Sequence, residues 1–427
     1  MSKIFDVTII GGSFSGMSAA LALSNISDDL KIAVIEKQDI VNNDRQRDGR
    51  AYAISASSMK FFEEIGIAKE VLQHAGKISD IKITDYKSPF VLDFLSSETS
   101  KNSGDFGCII ESYIVHNALR NEMVKRKNIT LYCPDTYSEI ELLDKKHHEE
   151  VEEDAALESV VGEAHSANLL HGKHYPNLGA LVKIDDGRIL DSKLLLACDG
   201  RFSDLREICK IDTLQKKYQQ TAIVFNISHQ KPHENVAYEK FLPGGPLAIL
   251  PMQDQHQSSI VWISPDKDAQ AILELDEANF IQQLTKKMEN CLGEVKVVSE
   301  KFSYPLILVE AQKFYHKKVL LVGDAAVGLH PIAGQGFNLA VVGIKILADL
   351  IKNNLYSGLK INSHTLIEAY NKKYGFEAKK MIIATDILNS LFETKSVSVS
   401  VARDLGLGLV NKFTKLKKIF IKAAGGF

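Results

Sequence analysis

The chain has 427 residues, of which 45% are hydrophobic and 25% charged, and its formal net charge is −3. That is the composition of a globular protein with room for two or three domains, and the near-neutral charge excludes bulk attraction to nucleic acid or an anionic membrane. No apolar run approaches the ~18 residues of a membrane span, the first residues lack a signal-peptide pattern, and the five cysteines show no CxxC spacing, so free thiols, no metal site and a cytoplasmic compartment are expected.

Residues 7–10 read as a short β-branched strand, followed by Gly11-Gly12-Ser13-Phe14-Ser15-Gly16 and a helix whose Ala19, Ala20 and Ala22 suit close packing on a sheet. A second strand, 32–35, ends at Glu36, 20 residues after Gly16. At that separation an acid meets the ribose hydroxyls of an adenine dinucleotide. Ser13 stands where the GxGxxG fingerprint has its second glycine. Serine is small and offers a hydroxyl, so binding with a slightly altered loop is expected. Only one such fingerprint is present, which argues against a separate nicotinamide domain.

Residues 144–175 are acidic, and His147, His148, His165, His171 and His174 match no metal-ligand spacing, so a solvated insertion is expected there. Residues 194–198 form a continuous apolar strand that ends at Asp199-Gly200. From 221 to about 305 the pattern turns to strands, with a hairpin pairing 247–251 and 259–263 and a helix over 280–292. This second, sheet-based region is the natural place for an apolar substrate wall. Residues 318–322 read as another buried strand; Gly323-Asp324 ends it, and Gly328, Gly334 and Gly336 lead into a helix. A carboxylate at a strand end, then a glycine-rich approach to a helix N-terminus, suits a polar cofactor that gains negative charge on reduction. Residues 365–393 look helical, and near the end Lys412, Lys415, Lys417, Lys418 and Lys422 flank an apolar stripe of Val410, Phe413, Leu416, Ile419 and Phe420. That pattern fits a terminal helix packed on the body or a basic amphipathic helix on a membrane or partner.

Together these glycine and aspartate sites resemble the class A flavoprotein aromatic monooxygenases, the para-hydroxybenzoate hydroxylase fold group. Within that group HPIAGQGFNL (330–339), KKYQQTAIVFNI (216–227), ENVAYEKFLPGGPLAILPM (234–252), Val261-Trp262 and TDILNSLF (385–392) are similar to the ubiquinone-biosynthesis hydroxylases, the 2-polyprenylphenol hydroxylase family. The resemblance spans nearly the whole chain outside 144–175. It implies an α/β fold: a Rossmann-like, three-layer FAD-binding domain (1–80, 105–215 and 300–355), an inserted mixed-sheet substrate domain (81–104 and 216–299) and a C-terminal helical region (356–427).

The resemblance also implies bound FAD, with NAD(P)H as co-substrate. Gly11, Gly12, Ser13, Gly16, Glu36 and Lys37 would hold the ADP half, and Arg50 would lie near the pyrophosphate or flavin. Asp199-Gly200 matches a motif linked to FAD and nicotinamide contact. Gly323-Asp324 would bind the ribityl chain, and Pro331, Gly334, Gln335, Gly336, Phe337 and Asn338 would run along the isoalloxazine. The implied reaction is ring hydroxylation of a polyprenylated phenol by O2 through a C4a-hydroperoxyflavin. The cofactor carries the hard step, so no general base is named; His330 and Pro331 are candidates only as lining of the flavin site. A membrane surface and other quinone-biosynthesis proteins are the implied partners, with a peripheral position on the inner membrane.

Two departures stand out. Residues 338–343 are NLAVVG where the family often has NLGLRD, and Val327 replaces a common histidine. These departures, with Ser13, keep a catalytically silent flavoprotein scaffold in view. A flavin-dependent isoprenoid reductase is the other alternative; it would share the cofactor domain but not the FLPGGPLAILP pattern.

Overall fold

The structure, a computed structural model, describes residues 3–42, 49–86, 91–95, 105–143, 179–329 and 334–393, with side chains of the last helix described to residue 386. The insertion 144–175, His330, Pro331 and the basic stripe after residue 410 lie outside the described residues.

The apolar runs become the centre of an eight-stranded sheet. Its main order is Tyr315–His316, Val319–Leu321, Ile189–Ala197, Lys3–Ile10, Ile32–Ile35, Ile129–Tyr132. All neighbours from Val319–Leu321 onward are parallel. Parallel strands are covered on both faces, which is why they read as unbroken apolar sequence rather than as alternation. Val7, Ile9, Leu194, Leu195 and Leu196 accordingly have no exposed surface. The helices Phe14–Ser24 and Gln335–Tyr356 pack against each other, and Ser112–Met123 packs on the first of them.

Register decides where the loops meet. Ile10 lies opposite Ile35 and Ala197, and Ala197 lies opposite Leu321. The strands therefore end level, and the loops beginning at Gly11, Cys198 and Val322 emerge side by side. Open α/β sheets bind ligands at such carboxyl ends.

A nine-stranded, mostly antiparallel sheet forms the second layer. It runs Val327–Gly328, Phe302–Ala311, Thr213–His229, Gln257–Pro265, Gly245–Pro251, Val236–Leu242, Asp80–Asp85, Val91–Leu95, with Val295–Val297 also on Thr213–His229. Side chains alternate between its faces. Ile223, Phe225, Ile227, Leu247, Ile249, Ile260 and Trp262 pack under Phe280, Leu284 and Met288 of the helix Glu277–Met288. That helix begins three residues before the expected 280 because Asp276 caps it, accepting from the Asn279 N–H at 2.9 Å.

The expected hairpin is present, with Ala248 opposite Val261. One strand straddles a domain boundary read from the sequence, and its partner belongs to the other domain's stretch. Thr213–His229 starts before 216, and Phe302–Ala311 lies in the 300–355 stretch, yet they pair over 213–217 and again over 221–224. The larger sheet thus reaches down to the cofactor layer. A third sheet, Ala51–Ser55, Gly107–Glu111 and Gly76–Ile78, adjoins them. All five cysteines are free, although Cys133 and Cys291 are only partly buried.

Candidate cofactor and substrate cavity

The level strand ends are held together by close backbone approach. Gly11 has φ +100°, and a Cβ there would overlap the Cys198 carbonyl. A Cβ at Gly16 would overlap the Gly11 carbonyl oxygen, so the first helix sits directly on its loop. Ser13 occupies the N-cap, but its hydroxyl does not cap the helix, and the first turn carries no acid. The helix Gln335–Tyr356 starts the same way: its N-cap is Gly334 at φ +62°, with no side-chain cap and no acid in the first turn. Each N-terminus therefore presents N–H groups without intrahelical acceptors and partial positive charge.

Both N-termini line one cavity of about 780 Å³. Ser13, Arg50, Gly200, Asp324, Gly334, Gln335, Gly336, Phe337 and Asn338 meet there. Gly11, Gly12, Gly16, Glu36, Asp199 and Gly323 are not part of this lining, and Lys37 is exposed. At Gly200 and Gly336 an added Cβ would meet no protein atom within 4 Å. Main chain thus faces open space in the cavity, leaving room that a side chain would fill. That cradle, with two acid-free helix N-termini, fits a flat, polyanionic dinucleotide such as FAD.

Several expected residues are engaged with the protein itself. Glu36 accepts from the Gly12 N–H at 2.6 Å and from the Gln38 N–H at 2.8 Å, clamping the first loop to the second strand. Asp199 accepts from the Leu205 N–H at 3.1 Å, and burial raises its pKa. Asn338 spends its whole amide on neighbours. It donates to Ala53 O (2.9 Å) and Gly334 O (3.3 Å), and accepts from Ser55 N (3.1 Å) and Ser58 Oγ (2.8 Å). Phe337 stacks among Phe14 and Tyr52, with ring centroids 4.0 and 4.6 Å away.

Asp324 projects into the cavity with Arg201 Nη2 3.7 Å away. It is deep within the protein, yet 45% of its side chain is accessible because it faces the void. Burial raises its pKa, and Arg201 and Arg50 oppose the rise. Arg206, buried, donates to Ala325 O (2.9 Å) and Arg201 O (3.0 Å) and so fastens the Gly323 turn to the Asp199 loop. Neither Arg201 nor Arg206 was assigned a site role from sequence; both follow Asp199-Gly200 within seven residues.

The far side of the cavity is apolar. Ala222, Val224, Ala248, Leu250, Val261 and Ile263 of the larger sheet, together with Phe94 and Phe106, form that wall. Tyr52, Tyr304 and Glu239 add polar groups that sequence reasoning had not assigned to the site. For Glu239 the signal was present: Ala237, Glu239 and Phe241 share one face of a strand, and the middle one is charged. Among the described residues no cluster of metal-ligating side chains occurs, and no helix is long and apolar enough to cross a membrane.

The chain is 29% identical over 426 residues to ubiquinone hydroxylase UbiL of Rhodospirillum rubrum, covering 99% of this chain and 90% of that one. It is 26% identical over 430 residues to ubiquinone hydroxylase UbiM of Neisseria meningitidis, covering 100% and 86%. Its fold matches that of p-nitrophenol 4-monooxygenase PnpA from Pseudomonas putida with a TM-score of 0.72 at 14% identity, covering 100% of this chain and 99% of the other. The FAD binding domain family model matches residues 5–381, nearly the whole described cradle and wall, so the chain belongs to that family and FAD is its cofactor.

Proposed function

We propose that this protein is an FAD-dependent monooxygenase that hydroxylates the aromatic ring of a polyprenylated phenol in ubiquinone biosynthesis, with NAD(P)H as electron donor and O2 as oxygen source. One observation carries this reading: a single cavity joins a main-chain cradle for the dinucleotide to an apolar sheet face, so cofactor and a hydrophobic ring share one space. Full-length similarity to ubiquinone hydroxylases supports the substrate class.

In this reading the eight-stranded layer holds FAD and the nine-stranded layer holds substrate. Gly11, Gly12, Ser13 and Gly16 place the first helix N-terminus at the pyrophosphate, Glu36 steadies that loop at the ribose end, and Lys37 borders it. Arg50 and Asp324 flank the middle of the cofactor, and Asp199-Gly200 shapes the adjoining loop. Gly323 lets the Asp324 turn sit against Ser15. Gly334, Gln335, Gly336, Phe337 and Asn338 bring the second helix N-terminus to the flavin; His330 and Pro331 stay candidates only as lining of the flavin site. Bound FAD supplies the redox chemistry that couples NAD(P)H oxidation to oxygen insertion. The protein's own residues orient the ring, exclude water and set the charge around the cofactor.

The substrate is strongly apolar, so we place the enzyme at the inner-membrane surface, with residues 411–427 as the contact and other quinone-biosynthesis proteins as neighbours. Deleting 411–427 is expected to reduce sedimentation with anionic vesicles; unchanged sedimentation rejects that contact.

The central test uses purified yellow protein, NAD(P)H, O2 and a prenylated phenol, with products read by mass. Gain of one oxygen atom supports the reading. Gain of two hydrogens indicates an isoprenoid reductase, and a flavin never reduced by NADH or NADPH indicates a scaffold.

A further inference from the structure

The wall of the cavity contains one feature out of keeping with its surroundings. Glu239 lies in a cross-strand row that reads Leu92, Ile83, Glu239, Ala248, Val261, Val224. Residues directly opposite one another in a sheet share a face, and all six of these line the cavity. The carboxyl therefore projects into the void from the middle of an aliphatic surface. No hydrogen bond or ion pair reaches it from any described residue.

Its isolation follows from the fold. The next residue, Lys240, points to the opposite face and donates to Glu289 Oε2 at 2.7 Å. On the neighbouring strand Lys82 lies over the Tyr238 ring, 6.0 Å from its centroid. Asp80, Asp85 and Asp93 are the other charged groups on the two outer strands. The remaining titratable groups around the cavity are Arg50, Tyr52, Cys198, Arg201, Tyr238, Tyr304 and Asp324. Arg201 lies 3.7 Å from Asp324, and the Arg50 guanidinium lies over the Tyr304 ring, 5.8 Å from its centroid. Burial alone pushes Glu239 up from 4.5 to about 7, with no charged neighbour contributing.

A carboxyl that an apolar wall raises towards neutrality serves well as a general base near neutral pH. An ordinary carboxylate lies some five to six units below a phenol of pKa ~10, too weak to share its proton. Raising the carboxyl towards neutrality closes nearly half of that gap. A phenol ring set against this wall would bring its hydroxyl to the only carboxyl on the sheet side of the cavity among the described residues.

Resting on the proposed phenol hydroxylation, we infer that Glu239 receives the hydroxyl hydrogen of the substrate ring and takes its proton during oxygen transfer. The phenol O–H bond breaks, the proton passes to a Glu239 carboxylate oxygen, and the electron pair stays on the phenol oxygen, enriching the ring for electrophilic attack. When the aromatic ring is restored, the hydrogen on the newly hydroxylated carbon leaves as a proton and goes out with the second oxygen atom of O2 as water, while Glu239 returns its proton to the phenol oxygen.

The test compares wild-type holoenzyme with Glu239→Gln and Glu239→Asp, using 2-geranylphenol and its methyl ether as probes. Thermal melting and flavin absorbance establish folding and cofactor loading. In the wild type, affinity for the phenol relative to the ether is expected to rise with pH through about 7, and single-turnover hydroxylation to rise along the same limb. Glu239→Gln should flatten both and slow hydroxylation by about 10²-fold, whereas Glu239→Asp should restore a displaced limb at a lower rate. A Glu239→Gln enzyme that keeps the wild-type limb and affinity ratio overturns the inference. A wild type that binds the phenol with the stated pH dependence but never adds oxygen overturns the proposed function instead, since the binding readout needs no turnover.

Discussion

Replacing Asn338 by alanine tests whether the second helix N-terminus is placed by side-chain bonding rather than by its glycines. The substitution removes four hydrogen bonds of 2.8 to 3.3 Å at a residue that is only 7% exposed. Each such bond contributes about 1 kcal/mol net, and orphaned buried partners add to the cost. Water admitted from the cavity can satisfy some of them, so the expected destabilisation is about 3 to 4 kcal/mol. The bonds tie Gly334 to the strand Ala51–Ser55 and the helix Ala56–Ile65. Their loss should therefore loosen the cradle, and FAD affinity should fall at least about tenfold, equivalent to ~1.4 kcal/mol. Urea unfolding of the apoprotein measures the first effect and flavin titration the second. A variant within about 1 kcal/mol of wild type, holding FAD as tightly, would refute the reasoning.

Three other predictions follow from the same geometry. Gly336→Ala should leave apoprotein stability near wild type, because its Cβ meets no protein atom, yet weaken FAD by about tenfold; an unchanged flavin titration removes Gly336 from the cofactor site. Gly16→Ala should do the reverse and unsettle the fold itself, since its Cβ overlaps the Gly11 carbonyl, and circular dichroism melting of the apoprotein reads this directly. The third concerns pH. Glu239 titrates at about 7 in the folded apoprotein and near 4.5 unfolded, so the stability held below pH 4.5 is lost as pH rises to 7. Glu239→Gln should escape that loss and exceed wild type at pH 8 by roughly 2 to 3 kcal/mol; parallel urea midpoints for the two proteins from pH 5 to pH 8 would contradict it.

The cofactor half of the molecule was legible in the sequence for a physical reason. Parallel strands buried on both faces must be continuous apolar runs, and the loops leaving them must be glycine-rich where main chain approaches main chain. Val7 to Gly16, Leu194 to Gly200 and Val319 to Asp324 carry that pattern locally, so their strands and turns could be read without neighbours. The wall could be read only coarsely. Its alternation announced strands, but not that Thr213–His229 and Phe302–Ala311 would pair across the expected domain boundary.

Individual roles inside the cavity depended on tertiary structure. Sequence places Asn338 beside Gly336; only the packed helix shows its amide wholly engaged with Ala53, Gly334, Ser55 and Ser58. Sequence shows Glu239 as one charge in a strand of mixed polarity. Only register sets Ile83 and Ala248 on either side of it and leaves its carboxyl facing the void. Strand and turn propensities act over a few residues, whereas the solvation of a carboxyl is decided by atoms that arrive from distant parts of the chain.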